Sequence, residues 1–280
     1  MRGLSVAIIT YNEERNLADC IRSCEDVADE IVVLDSFSTD RTAEIARSFP
    51  KVRFAEHAFD GHVEQKNRAL ALCRNDWVLS LDADERLTPE LRDEIRALEP
   101  GDEDGFRFPR LTFALGRPIR HGGWYPQRKV RLFRRSRARW AGENPHDYVV
   151  VDGKRGDLRG DLLHHSFTDL SHMVDTANRF SSIVAFNRFH AGRRLGLLAV
   201  TLKPVVKFLE VYVFKLGFLD GFPGLVVAWN AAYSAFLKRA KIYELERGLV
   251  ERPSNLRPDY RPQGGRRGRV EGEEAQRGSP

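Results

Sequence analysis

Glycine is missing where nucleotide-binding loops most need it. After a first strand-like run, Leu4 to Thr10, the chain continues Thr10-Tyr11-Asn12-Glu13-Glu14-Arg15. That excludes the G-x-G-x-x-G turn of a dinucleotide-binding domain, and no G-x-x-x-x-G-K-[ST] loop occurs anywhere. Cysteine is scarce. Cys20, Cys24 and Cys73 form neither a C-x-x-C pair nor a disulfide framework, which points to a reducing compartment. Long uncharged apolar runs are few: Lys203, Lys207, Glu210 and Lys215 interrupt the stretch from 195 to 215, so it is not a spanning helix. The uncharged stretch 221–237 holds Gly, Pro, Asn230 and Ser234 and is of marginal length for a span. The N-terminal run is too short and too soon interrupted for a signal peptide. Neither charge sign dominates. With 45 Lys+Arg against 40 Asp+Glu, the net charge of +5 favours anionic partners such as phosphates, nucleotides or acidic lipid.

The remainder reads as a folded α/β chain. Its 280 residues, 42% hydrophobic and 30% charged, suffice for one substantial core, or a core with an appendage. Leu4–Thr10 is a buried-strand run, followed by a helix with Leu17, Ile21 and Cys24 at helical spacing. Strand Glu30–Leu34 precedes a helix over 41–48, with Asp40 or Thr39 as its N-cap. A short strand Val52–Ala55, a helix over 62–73 and a strand over 76–81 follow. Thr88-Pro89-Glu90 opens the next helix with a cap, Pro at the first position and an early acid. This alternation predicts a mostly parallel sheet with helices on both faces, and such sheets bind ligands outside the carboxyl ends of their strands.

Three polar clusters fall at those ends: Thr10 to Glu14, Asp35 to Asp40, and Asp82-Ala83-Asp84-Glu85. Strand alternation points Asp82 and Asp84 the same way. Two hard oxygen ligands on one face suit Mg²⁺ or Mn²⁺ also held by phosphates. Any one cluster alone could be ordinary turn chemistry; the convergence of three is the signal.

Ser5-Val6-Ala7-Ile8-Ile9-Thr10-Tyr11-Asn12-Glu13-Glu14, Ile31-Val32-Val33-Leu34-Asp35-Ser36-Phe37-Ser38-Thr39-Asp40-Arg41-Thr42 and Leu81-Asp82-Ala83-Asp84-Glu85 together resemble the family 2 inverting glycosyltransferases of GT-A fold. Within that family the chain looks most like bacterial lipopolysaccharide core β-glucosyltransferases, over about residues 3–245. The resemblance implies a UDP-sugar donor, with Thr10, Tyr11 and Glu13 lining the nucleotide pocket and Asp35 at the base. It puts Asp82 at the ribose or metal, and Asp84 on a Mg²⁺ or Mn²⁺ that bridges the donor phosphates, with His164 as a further metal or phosphate contact. Acceptor-binding candidates are His121 and Trp124, in the glycine- and aromatic-rich segment Arg120–Pro126, and Arg131 on the strand that follows. Trp124 could equally be a packed hairpin residue. The general base is Asp147 or Glu143; related enzymes carry His-Glu where this chain has His146-Asp147.

The implied organisation is a GT-A catalytic domain over 1–168, its nucleotide-sugar half ending near 100 and its acceptor half covering 101–168. A helical, membrane-associated region over 169–250 and a disordered tail over 251–280 complete it. Apolar helix faces edged with Lys, Arg, Trp and Tyr fit an in-plane helix on an anionic surface; packing on the catalytic domain or a partner subunit is the competing reading. The expected partners are therefore a UDP-sugar, a glycolipid or oligosaccharide acceptor, and the cytoplasmic face of the inner membrane. A homo-oligomer is allowed and nucleic acid is not expected. Two rivals to transfer onto a lipopolysaccharide core stay open: a polyprenyl-phosphate sugar transferase, which needs no general base, and a non-catalytic carbohydrate-binding protein at the membrane.

Overall fold

The structure, a computed structural model, describes residue 1 and residues 3–143, 146–167, 169–193, 197–256, 260 and 262; the side chains of Glu143, His146 and residues 197–199 lie outside this description. The first half of the chain runs β1 (Leu4–Thr10), α1 (Leu17–Cys24), β2 (Glu30–Asp35), α2 (Thr42–Arg47), β3 (Val52–Glu56), α3 (His62–Leu72), β4 (Trp77–Asp82), β5 (Glu85–Leu87) and α4 (Pro89–Ala97). It continues β6 (Glu103–Ala114), β7 (Arg117–Pro118), β8 (Gln127–Arg134), β9 (Ala138–Glu143), β10 (His146–Val151), β11 (Lys154–Asp157), β12 (Leu162–His164), α5 (Leu170–His190), α6 (Leu197–Leu209) and α7 (Gly221–Glu246).

Two compact units result. One comprises residues 1–111 with 126–165, the other 112–125 with the described residues from 166 onward. The first unit carries the expected GT-A arrangement. Its sheet has the order β3-β2-β1-β4-β8-β6-β12-β5, parallel through β3, β2, β1 and β4 and antiparallel where β8 and β6 extend it. Alternation along β1 feeds both faces. Val6 and Ile8 pack with Leu17, Ile21, Leu91 and Ile95 on one side. Ala7 packs with Leu34, Leu70, Trp140 and Val149 on the other. In α1 the buried residues are Leu17, Cys20, Ile21 and Cys24, one stripe of an amphipathic helix. The Thr88 side chain caps α4 by accepting from Leu91 N, with Pro89 at the first position. Helix α2 departs from expectation: it begins at Thr42, because the Asp40 carboxylate turns back to accept from Thr42 and Glu14 backbone N–H groups and tightens the entry loop.

The second unit is helical, with Ala114, Ile119, Met173, Val211 and Val227 in its core. Lys241 Nζ donates to Asn178, Ser181 and Ser182 and ties α7 to α5. After α6 the chain forms a π-helical turn, Glu210–Phe214, and a 3₁₀ turn, Gly217–Asp220. The break therefore lies at 215–220, earlier than the Gly217–Gly224 segment suggests, and the uncharged stretch 221–237 belongs to α7. Backbone crowding explains the glycines. A Cβ on Gly217 would sit 2.6 Å from the Val211 carbonyl, and one on Gly224 would collide with the Gly217 carbonyl. Among the described residues no single helix is long and apolar enough to cross a membrane; the segments Val200–Phe214 and Gly217–Glu246 reach that length and apolarity only together, across a 70° bend. Within the tail expected to be disordered, Leu256 is buried beside Phe186 and Leu245, and residues 263–280 lie outside the described residues.

Candidate active site

Strand register brings the three polar motifs to one edge. Thr10 pairs with Asp35 across β1 and β2, and Ile9 pairs with Asp82 across β1 and β4. Each side chain at this edge has a distinct setting. Asp35 is fully buried, and its carboxylate accepts from Ser38 N at 2.7 Å and from the Ser38 hydroxyl; it shapes the loop that follows β2. Asn12, at φ 54°, locks the neighbouring loop by donating its N–H to Ser38 and accepting from Thr39 N. Thr10 is buried with no hydrogen-bond partner for its hydroxyl, while Tyr11 stands exposed just beyond it. Glu13 is pushed up to about 7, first by burial and then by the charges of Asp84, Asp40 and Asp82. This corner therefore holds more negative charge than it neutralises.

The Asp82–Glu85 turn divides its work. Glu85, wholly buried, accepts from Asp82 N at 3.0 Å and closes the turn. It also accepts from Arg131 at 2.7 Å. Asp82 binds Lys66 Nζ at 2.8 Å and Arg131 Nη2 at 2.8 Å. Burial opposes ionisation of Asp82, but Lys66 and Arg131 outweigh it and hold the carboxyl well below its ordinary value. Asp84 points elsewhere, toward His164 Nε2 at 3.2 Å; β12 delivers that imidazole by pairing His164 with Glu85. Here too the partner, His164, overcomes burial and lowers the acid's pKa.

Lys66 also contacts Asp147 Oδ2 at 2.7 Å. Asp147 comes from the β9–β10 hairpin, in register with Gly142. Burial would raise its pKa, yet Lys66 brings it below the ordinary carboxylate range, so it stays ionised at neutral pH. Trp140 roofs the cluster, its ring 4.2 Å from Lys66 Nζ and 5.0 Å from the Arg131 guanidinium. Arg131 reaches the turn because β8 bulges: Phe106 pairs with Leu132 and Arg107 with Val130, leaving Arg131 skipped. A bulge re-aims a side chain in this way.

The structure thus unites Asp82, Arg131 and Asp147, with Asp84 and His164 a turn away. His121 and Trp124 belong to the second unit. There His121 Nδ1 pairs with Asp220 at 2.9 Å, and Trp124 packs beside Phe167 on the helical core. Glu143, the rival base, has its side chain outside the described residues. Lys66 escaped the sequence reading, although it is only 4% exposed and joins two of the predicted acids. Its one signal was Gln65-Lys66, two polar residues on the same stripe as Ala69 and Leu70, the face of α3 that packs inward.

Among the described residues no group of three or more His, Cys, Asp or Glu side chains is arranged to hold a metal. The donor set nonetheless fits a divalent ion that relies on its substrate. Asp84 and His164 supply oxygen and nitrogen ligands, beside the surplus charge at Glu13, and Mg²⁺ commonly takes one or two carboxylates plus phosphates. Asp82 is already neutralised by two cations, which makes it the weaker ligand.

The glycosyl transferase family 2 profile matches residues 5–151, which contain this whole cluster except His164. The chain belongs to glycosyl transferase family 2. Over 259 residues this family 2 chain is 32% identical to the lipopolysaccharide core biosynthesis glycosyltransferase LpsC of Rhizobium meliloti (strain 1021), covering 90% of this chain and 95% of that one. It is also 32% identical to the uncharacterized glycosyltransferase RT0209 of Rickettsia typhi, with 88% of both chains covered. Among solved structures, S. aureus TarS 1-349 aligns at TM-score 0.41 and 16% identity over 88% of this chain and 91% of that one. The glucosyl-3-phosphoglycerate synthase of Mycobacterium tuberculosis, in complex with Mn²⁺ and UDP-glucose, aligns at TM-score 0.32 and 25% identity over 40% and 44%. The chain is a glycosyltransferase.

Proposed function

We propose that this glycosyltransferase moves a hexose, glucose from UDP-glucose, onto an inner-core lipopolysaccharide sugar or a related glycolipid, with inversion. The observation that carries the reading is the Asp147 carboxylate, kept ionised by Lys66 in the same cluster as Asp82 and beside the Asp84–His164 pair. The name of LpsC supports the acceptor class.

In this mechanism Asp147 accepts the proton of the acceptor hydroxyl as its oxygen bonds to the anomeric carbon. The bond from that carbon to the donor phosphate breaks, and its electron pair leaves with the nucleoside diphosphate. Lys66 holds Asp147 and Asp82 at a fixed separation through the reaction. Thr10, Tyr11 and Glu13 receive the nucleoside, and Asp35 keeps their neighbouring loop in place. A Mg²⁺ or Mn²⁺ held by Asp84 and His164 would supply Lewis-acid stabilisation of the charge on the departing diphosphate.

A panel of nucleotide sugars with Mg²⁺ or Mn²⁺, read by thermal shift and then by transfer to a heptose-containing acceptor, tests the reading. UDP-glucose should raise the melting temperature and support transfer. Stabilisation by none of the UDP-sugars would overturn the donor assignment.

A further inference from the structure

Beyond the carboxylates, the cluster contains cationic nitrogens that its acids do not answer. Lys66, Arg110, Lys129 and Arg131 stand among Asp82, Asp84, Glu85 and Asp147. Register explains their meeting. Arg110 pairs with Gln127 and Phe108 with Lys129, so Arg110 and Lys129 are diagonal neighbours on one face of the β6–β8 ladder. Arg131 stands behind them, 3% exposed, with Nε and Nη1 lacking a hydrogen-bond partner. Arg110 Nε is also unanswered, its Nη1 being 3.7 Å from Glu85. The Lys129 ammonium makes no ion pair among the described residues. Burial first, and then the charges of Arg110 and Arg131, lower its pKa to about 8 against Asp147 and Glu85. An anion there would relieve both the crowding and the missing hydrogen bonds.

We propose that Arg110 and Lys129, backed by Arg131, form a subsite for an anionic group, phosphate or carboxylate, carried by the acceptor. This rests on the transfer reading above and sharpens it, making the preferred acceptor an acidic sugar. Lys129 gives the side of the site: among the acids, Asp147, the proposed base, acts on it most, ahead of Glu85, while Arg110 also acts on Asp84. An anion beside Asp147 belongs to the molecule whose hydroxyl Asp147 deprotonates.

Calorimetric titration of inorganic phosphate into the full chain, free and saturated with UDP and Mn²⁺, tests the proposal. Phosphate should bind both forms. Lys129→Gln should weaken it about tenfold, the loss expected for one charge-assisted hydrogen bond, and Lys129→Arg should restore most of it. Arg110→Gln provides the same readout should Lys129→Gln not fold. Phosphate binding that is abolished by UDP would reassign the cations to the donor diphosphate and overturn the proposal, as would binding unchanged in both variants. Failure of UDP itself to bind, with phosphate binding still dependent on Lys129, would sink the UDP-sugar reading and leave the anion subsite standing.

Discussion

Lys66 Nζ lies 2.7 Å from Asp147 Oδ2, joining helix α3 to strand β10 across 81 residues of sequence. The same ammonium is 2.8 Å from Asp82, so one buried cation holds an acid from the parallel half of the sheet against an acid from the hairpin that covers it. Removing it would leave two carboxylates facing each other with little water. Lys66→Met should therefore cost about 3–5 kcal/mol of unfolding free energy, the scale for breaking a buried pair from one side. Denaturant unfolding followed by circular dichroism reads this directly. A loss under about 1 kcal/mol would mean that the lysine is solvated and the pair weak.

Asp147 offers the sharpest kinetic test. Asp147→Asn keeps the size of the side chain and removes the proton acceptor. The variant should lose about 10²- to 10⁴-fold in kcat, the range for general-base catalysis, while UDP affinity stays as in the parent chain. Because Lys66 holds the carboxyl below its ordinary value of 3.8, the base itself stays ionised across neutral and mildly acidic pH and imposes no loss of rate there. Activity preserved in both Asp147→Asn and Glu143→Gln would exclude a side-chain base and favour a phosphate acceptor, as in transfer to a polyprenyl phosphate.

The parallel half of the fold was legible because its signals are local. Strand runs such as Leu4–Thr10 and the Thr88-Pro89 cap act within a few residues of themselves, and Asp35 and Asp84 sit in motifs of fixed spacing. What could not be read depends on distant pairing. Lys66 acquires its role only when α3 packs against Trp140 and Asp147. Arg131 needs a bulge that no residue of β8 announces. Trp124 is open in the sequence between a sugar platform and a packed hairpin residue, and the structure packs its ring beside Phe167. Periodicity names buried apolar faces well; it carries no information on which buried polar groups will answer one another.

Glu30 provides a stability test remote from the chemistry. It accepts from Ser5 Oγ at 2.7 Å and from Arg74 N, with Arg53 and Arg74 nearby. Burial disfavours its charge, but these donors prevail and lower the pKa from 4.5. A carboxyl depressed in the folded state stabilises the protein above its unfolded pKa, and that contribution fades as pH falls through the folded value. Glu30→Gln should therefore be less stable than the parent at pH 7, by about 1–3 kcal/mol. It should also show a flatter stability profile below pH 4.5. Parallel profiles for the two proteins across that acid range would show that Glu30 is not differentially ionised on folding.

Phe214, Phe222 and Trp229 are 78%, 71% and 61% exposed, an unusual cost for a surface that meets only water. Charge suggests the partner. From Lys203 to Asp220 the chain carries Lys203, Lys207 and Lys215 against Glu210 and Asp220, a net charge of +1 beside its exposed rings, and Glu210 is already paired with both Lys207 and Lys215. We expect it to lie in the plane of an anionic membrane, with the aromatic side chains at the interface, where a lipid-borne acceptor would also be found. Vesicles containing phosphatidylglycerol should sediment the protein and shift Trp229 fluorescence to the blue, while phosphatidylcholine vesicles should bind it less well. Phe214→Ser and Phe222→Ser should each weaken binding by about tenfold or more, from the apolar area withdrawn from lipid. Equal binding to both lipid compositions would remove the electrostatic part of the argument. Unchanged binding by the two serine variants would show that other residues make the contact.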